Sequence, residues 1–249
     1  MSNQIKTNCI LIKKQPYTES SVLMQVFSDT LGMTSVLAKG IRKTNEHKDF
    51  LLNVLNEYEL VLSQPSQSGI HILKEFTLIS EYPTDLPLAT WFTVQAGAEM
   101  ISKLILPVDE IPQFYLGISQ YLNYQKTVKT NAIAIFWRFL LHIYKLLGIP
   151  INLSNCSNCQ KSIEKASGYA PDTGQLLCNK CLKELPESFV FSPEAGYIIS
   201  ILPVIGNYLN DLEIQKETIA QVNNFFLRYI SLQFHKEIKL NSLQFFLSE

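Results

Sequence analysis

Apolar and polar residues alternate along the first eighty residues, which is typical of strands with one buried face. Five segments rich in β-branched and aromatic residues follow this period, and turn-forming residues separate them: 7–12, 21–27, 33–37, 58–62 and 70–78. No long helical pattern interrupts them, so they predict a small closed antiparallel barrel. The OB-fold is the commonest barrel of this size, and we expect one at residues 1–80.

The hydrophobic period changes to 3.6 residues after Pro83, which predicts helices for the remainder of the chain. Five are expected, at 86–106, 111–124, 131–147, 193–202 and 215–233, with Thr130 or Asn131 as N-cap of the third. We therefore predict an α+β multidomain protein, in which an α-helical domain at residues 81–249 follows the barrel.

Composition indicates a soluble globular protein. The chain has 249 residues, 47% of them hydrophobic, and a net charge of −1, so it can bury a sizeable core. Its most apolar stretch carries Gln95, Glu99 and Lys103 at every fourth position, which is typical of an amphipathic helix and not of a membrane span. Because no apolar signal segment follows Met1, we expect a cytoplasmic protein without membrane contact.

Four of the five cysteines form two matched pairs, Cys156 with Cys159 and Cys178 with Cys181. Two C-x-x-C pairs at this separation are a zinc-site pattern. Each pair offers two thiolates to one ion, and four thiolates complete a tetrahedral shell with no open position for substrate. The sequence therefore predicts one structural Zn²⁺ in a module at about residues 152–185, inserted between helices.

Three other interpretations of the cysteines fit less well. Two disulfides are typical of a small secreted domain and would leave Cys9 unpaired. Cys9 itself fits a buried strand position. A thioredoxin-like redox pair requires a βαβ context that neither pair has. A zinc deaminase requires H-x-E before P-C-x-x-C, but His235 follows the cysteines and Asn155 takes the place of the proline.

Five motifs, in this order, resemble the bacterial RecO family of recombination mediators: PYTES at 16–20, AKGIRK at 38–43, LLG at 146–148, FSPEAG at 191–196 and LNSLQF at 240–245. They touch both ends and the middle of the chain, so the resemblance covers essentially all of it. RecO-like proteins vary in whether the cysteines are present.

The resemblance implies a non-enzymatic DNA repair protein associated with the nucleoid. RecO-like proteins bind single- and double-stranded DNA and anneal complementary strands. They engage the acidic, apolar C-terminal tail of the single-stranded-DNA-binding protein SSB, and with RecR they help to load RecA. No small-molecule substrate is expected.

The candidate DNA-binding residues lie in the barrel. Lys39, Arg42 and Lys43 surround Gly40 in a basic loop with Lys48 beyond it, where cations can neutralise phosphates. Solubility is the other role open to such a loop. Lys13 and Lys14 are further candidates for phosphate contacts, but paired lysines also protect strand edges. Tyr17 can either stack on a base or pack across a turn.

The candidate partner-binding residues lie on the third predicted helix. Arg138, His142 and Lys145 fall on one helical face. RecO-like proteins place an arginine at the position of Arg138, so we assign Arg138 and Lys145 to the SSB tail and regard His142 as a bystander. An ordinary solvated helix face is the alternative.

Two other functions compete with the mediator. A zinc-ribbon regulator of transcription or translation would touch nucleic acid through the cysteine module, but residues 151–190 carry four basic and four acidic residues, which is a poor phosphate-binding surface. An enzyme with an OB-fold appendage would need clustered carboxylates or an activated lysine, and none stands out in the helical half.

Overall fold

The structure is a computed structural model that describes residues 4–43, 48–185 and 187–246. Contacts within the chain divide it into two compact units. The first consists of Met1–Leu86 and Ala98–Lys126, and the second consists of Pro87–Gly97 and Thr127–Glu249. Helix α1, Leu88–Lys103, therefore contributes to both units. The domain boundary predicted at residue 80 remains a prediction.

The first unit contains the predicted barrel. Its strands are β1 (Ile5–Pro16), β2 (Val22–Ser28), β3 (Gly32–Ala38), β4 (Glu57–Leu62) and β5 (His71–Ser80). They close in the order β1-β2-β3-β5-β4, and the parallel contact of Val36 and Leu37 with β5 completes the circle. The expectation of a five-stranded, OB-like barrel is confirmed.

Alternation builds the barrel core, and a bulge interrupts it in β1. Inward residues such as Cys9, Met24 and Val36 are almost completely buried. Between Leu11 and Lys13 the pairing with β2 shifts by one residue. Such a bulge re-aims the side chains that follow it, and Lys13 becomes exposed directly after four buried positions.

Helix α2, Ile111–Gln125, packs on the barrel within this unit. The Tyr115 hydroxyl donates a 2.6 Å hydrogen bond to the Glu57 carboxylate, and its ring centre lies 6.1 Å from that of Phe27. A Cβ on Gly32 would lie 3.0 Å from the Ile111 side chain, so glycine permits the close approach of β3 and α2.

The second unit is built around helices α3 (Ala132–Leu146), α5 (Pro193–Ile201) and α6 (Lys216–Gln233). The third predicted helix begins after Asn131, which occupies the N-cap position but makes no side-chain capping bond. Its amide instead donates to the carbonyl oxygens of Leu209 and Leu212 at 2.8 and 2.6 Å. Asn131 thereby ties the start of α3 to the loop before α6.

The predicted cysteine module lies between α3 and α5. It contains β6 (Gly168–Tyr169), β7 (Leu176–Leu177), the short helix α4 (Asn179–Glu184) and β8 (Phe189–Val190), and its sheet has the order β7-β6-β8. Among the described helices of the whole chain, none is long and apolar enough to cross a membrane.

Candidate functional site

The four predicted cysteines converge on one point. Their sulfur atoms all lie within 4.8 Å of one another, and the Sγ atoms of Cys159 and Cys178 are 3.8 Å apart. Two thiolates on one tetrahedral ion with metal–sulfur bonds of about 2.3 Å would be about 3.8 Å apart. Cys156 and Cys181 are buried, Cys178 is half-buried and Cys159 is exposed. The cluster can therefore hold one metal ion with a closed shell of four sulfur ligands.

Local hydrogen bonds hold the two C-x-x-C turns together. The Gln160 N–H donates to the Cys156 carbonyl oxygen at 2.9 Å and closes the first turn. Cys178 is the N-cap residue of α4, and its N–H donates to the Cys156 Sγ at 3.3 Å. An N–H aimed at sulfur favours the thiolate that a metal requires.

The surroundings of the thiols differ in their effect on ionisation. Burial raises the pKa of Cys156, but backbone N–H groups of Cys159, Cys178 and Asn158 outweigh it and lower the pKa to about 6. For Cys181, a hydrogen bond from Asn158 favours the thiolate, yet burial and the neighbouring cysteines raise the pKa to about 12. Crowded thiols resist sharing several negative charges, and a divalent cation would remove that penalty.

The metal module is fixed to the helices of its unit. A Cβ on Gly196 would lie 2.0 Å from the Ala166 carbonyl oxygen, so α5 approaches the module closely only because glycine is present. On α6, the Arg228 guanidinium donates to the Pro171 carbonyl oxygen from Nη2 at 2.5 Å and from Nε at 3.2 Å. The module is thus an integral part of the helical unit.

At one end of the barrel, the structure brings two of the predicted DNA-binding segments together. The Arg42 N–H donates to the Ser20 carbonyl oxygen at 3.1 Å, which joins the loop after β3 to the turn between β1 and β2. The side chains of Lys39 and Lys43 are exposed and that of Arg42 is half-buried. In the adjoining turn Tyr17 is 57% exposed, so its ring is not packed away.

A second group of polar residues lies on the outer face of β1, β2 and β3. Lys13 is paired in register with Gln25, and Gln25 with Ser35. Together with Gln15 and Leu23, these residues line a shallow cavity of about 120 Å³. Gln15, Gln25 and Ser35 were not among the predicted site residues. The outward phase of Gln25 and Ser35 in the alternation could have identified them, whereas Gln15 faces outward only because of the bulge in β1.

Two candidate lysines of the barrel remain, Lys14 and Lys48. Lys14 is half-buried and pairs with Met24, so it does not share the exposed position of Lys13. The side chain of Lys48 lies outside the described part of the chain.

Arg138, His142 and Lys145 are all exposed on α3. Partial burial, followed by the positive charge of Lys145, lowers the pKa of His142 from its ordinary value. The face is therefore cationic through Arg138 and Lys145, with a histidine that favours its neutral form near neutral pH.

The family model "Recombination protein O N terminal" matches residues 1–82, and "Recombination protein O C terminal" matches residues 88–244. Several curated proteins named DNA repair protein RecO are similar over most of their length. The protein of Oceanobacillus iheyensis is 24% identical, with 90% of this chain and 86% of the relative covered. That of Thermoanaerobacter sp. is 21% identical (96% and 98% covered), and that of Caldicellulosiruptor bescii is 23% identical (97% and 97%).

The OB-like barrel, the helical unit and the inserted cysteine cluster thus coincide with family matches that together span nearly the whole chain. This chain belongs to the recombination protein O (RecO) family.

Proposed function

We propose that this protein is a DNA repair and recombination mediator that binds single- and double-stranded DNA and anneals complementary strands. The observation that carries the proposal is the end of the barrel, where Lys39, Arg42 and Lys43 lie next to exposed Tyr17. Cations that neutralise phosphates, beside an aromatic ring that can stack on a base, are the two components of single-strand binding.

The outer face of the barrel extends this surface. Lys13, Gln25 and Ser35 form one outward row across three strands. Their polar groups can hydrogen-bond to a single strand that crosses β2 and β3, where OB-folds commonly bind nucleic acid. Annealing requires two strands to approach each other, and a cationic protein surface offsets the repulsion of their phosphates.

The exposed cations of α3 are the proposed contact for SSB. Arg138 and Lys145 can pair with the carboxylates of its acidic, apolar tail. Binding to the tail would direct the protein to single strands that SSB already covers. We propose that the protein then acts with RecR to promote loading of RecA onto chromosomal DNA.

The metal has a structural role in this proposal. Cys156, Cys159, Cys178 and Cys181 fit one Zn²⁺ because thiolates in tetrahedral arrangement suit zinc and leave no open coordination position. The ion would fix the loop-rich module to which β6, β7 and β8 belong. Annealing makes and breaks no covalent bond, so the proposed function requires no catalytic residue.

Strand annealing on SSB-coated DNA tests the proposal. Complementary oligonucleotides are coated with SSB or with SSB that lacks its tail, and duplex formation is followed by fluorescence energy transfer. We expect this protein to accelerate annealing on strands coated with intact SSB and to lose most of the effect when the tail is absent. No acceleration on either substrate would refute the mediator function.

A further inference from the structure

Helix α2 covers one end of the outer barrel face and leaves the rest open. The outward residues of β2 are Leu23, Gln25 and Phe27. Phe27 is completely buried, and the ring of Tyr115 on α2 has its centre 6.1 Å from that of Phe27. Leu23 is half-buried and Gln25 is exposed. The open face therefore begins beyond Phe27 and includes the neighbours of Leu23 and Gln25 on β1 and β3.

Strand pairing arranges this open face as two rows of three residues. The first row is Gln15, Leu23 and Leu37, and the second is Lys13, Gln25 and Ser35. Directly opposed residues of neighbouring strands have Cβ atoms about 5 Å apart, so the side chains of a row meet. A cavity of about 120 Å³ is lined by residues of both rows. It combines an apolar floor at Leu23 with polar groups on either side.

The polar side chains of the two rows are available to a ligand. Lys13, Gln15 and Gln25 are exposed, and neither they nor Ser35 make a side-chain hydrogen bond or ion pair with another residue of the described chain. Each carboxamide has a donor and an acceptor side by side. Neither row contains an acidic residue, so no carboxylate on them repels a nucleic acid.

A nucleobase complements these features. Its flat face can lie on an apolar side chain such as Leu23, and its edge carries neighbouring donors and acceptors that a carboxamide can bind with two hydrogen bonds. In a duplex the pairing edge is engaged by the complementary base, so only an unpaired base can offer it. Phosphates, by contrast, are accessible in single and double strands alike.

We propose that the open face binds an unpaired base of single-stranded DNA. The carboxamides of Gln25 and Gln15 contact the edge of the base, and Leu23 lies beneath its plane. The Lys13 ammonium contacts a neighbouring phosphate.

This inference rests on the proposed DNA binding by the barrel end and adds a strand preference to it. Gln15 is two residues before Tyr17, and Leu37 is two residues before Lys39, about 7 Å along an extended strand. A strand held at the barrel end can therefore continue onto the open face. The basic loop holds any strand, whereas Gln25 selects single strands.

Binding of three labelled probes of equal length tests the proposal by fluorescence anisotropy. They are oligothymidine, an abasic strand with the same phosphates, and a duplex. We expect the unaltered protein to bind oligothymidine about fivefold or more tighter than the abasic strand, as one bidentate base contact provides. Gln25→Leu should lose most of this preference and keep its duplex affinity within about twofold. Unchanged duplex affinity also shows that the variant is folded.

Gln4→Leu is the matched control, because Gln4 is an exposed glutamine just before the start of β1. It should keep the full preference. Gln15→Leu removes the second carboxamide and should reduce the preference, which provides the same test on another strand if Gln25→Leu does not fold.

Two results would overturn the base site and leave phosphate binding by the basic loop intact. One is equal binding of oligothymidine and the abasic strand by the unaltered protein. The other is a full preference for oligothymidine in the folded carboxamide variants. Failure of the unaltered protein to bind any of the three probes would overturn the mediator function together with this inference.

Discussion

The backbone N–H of Arg42 donates to the carbonyl oxygen of Ser20 over 3.1 Å. This bond joins two loops that are separated by β2 and β3 in the sequence. Because of it, the basic loop and the turn that carries Tyr17 form a single surface at one end of the barrel. The first prediction concerns this surface.

Replacing Arg42 and Lys43 with alanine should weaken single-strand binding and reduce its salt dependence. Each lost phosphate contact lowers the slope of log K against log salt by about 0.7 for single strands, so the pair should lower it by about 1.4. Fluorescence anisotropy with labelled oligothymidine at several salt concentrations measures the slope.

Lys6→Ala is the matched control. Lys6 is an exposed lysine of the same barrel, but it pairs with Glu59 at 2.9 Å and lies ten residues before the end of β1, about 30 Å along an extended strand. The Lys6→Ala variant should keep the slope of log K against log salt that the unaltered protein has. An unchanged slope for the double variant would remove the basic loop from the DNA-binding surface.

Cys156→Ser should abolish stoichiometric metal binding and destabilise the helical unit. Metal-coupled folding of four-ligand zinc modules is worth on the order of 10 kcal/mol in isolated peptides, so the module should unfold locally. Metal content by mass spectrometry and thermal unfolding measure the two effects. The control is Cys9→Ser, which changes a buried thiol in the barrel. This variant should still bind one metal ion per chain.

Single-strand binding should survive Cys156→Ser, because the proposed DNA-binding surface lies in the barrel unit. A folded Cys156→Ser protein that has lost annealing would contradict a purely structural role for the metal.

Arg138→Glu should lower affinity for a peptide of the SSB tail about tenfold or more, since a charge-assisted hydrogen bond contributes roughly 1.5–3 kcal/mol. Isothermal calorimetry measures the affinity. Lys180→Glu introduces the same charge change at an exposed position of α4 and should have little effect. Tail binding that is equal in both variants would exclude Arg138 from the contact.

The sequence predicted the features that local patterns encode. Alternation identified the five strands, and the spacing of the cysteines indicated a cluster whose sulfur atoms do meet. The bulge after Leu11 was not predicted, because one extra residue in a strand leaves no clear change in composition. Lys13 therefore turned outward for a reason that only the pairing with β2 reveals.

Contacts between distant residues could not be predicted from periodicity. The N-cap prediction for Asn131 located the start of α3, but its side chain bonds to carbonyl oxygens near residue 210. Likewise, Trp137 and Asn223 are 86 residues apart, and each looked like an ordinary position on its own helix.

The most direct test of the mediator function is the rate at which bare complementary strands anneal. It is measured with the unaltered protein, with a triple variant that changes Lys39, Arg42 and Lys43 to glutamate, and with Lys6→Glu. We predict that the unaltered protein and Lys6→Glu accelerate annealing equally, while the triple variant falls to the uncatalysed rate and keeps its thermal stability. Equal acceleration by all three proteins would contradict the assignment of the barrel end as the DNA-binding surface.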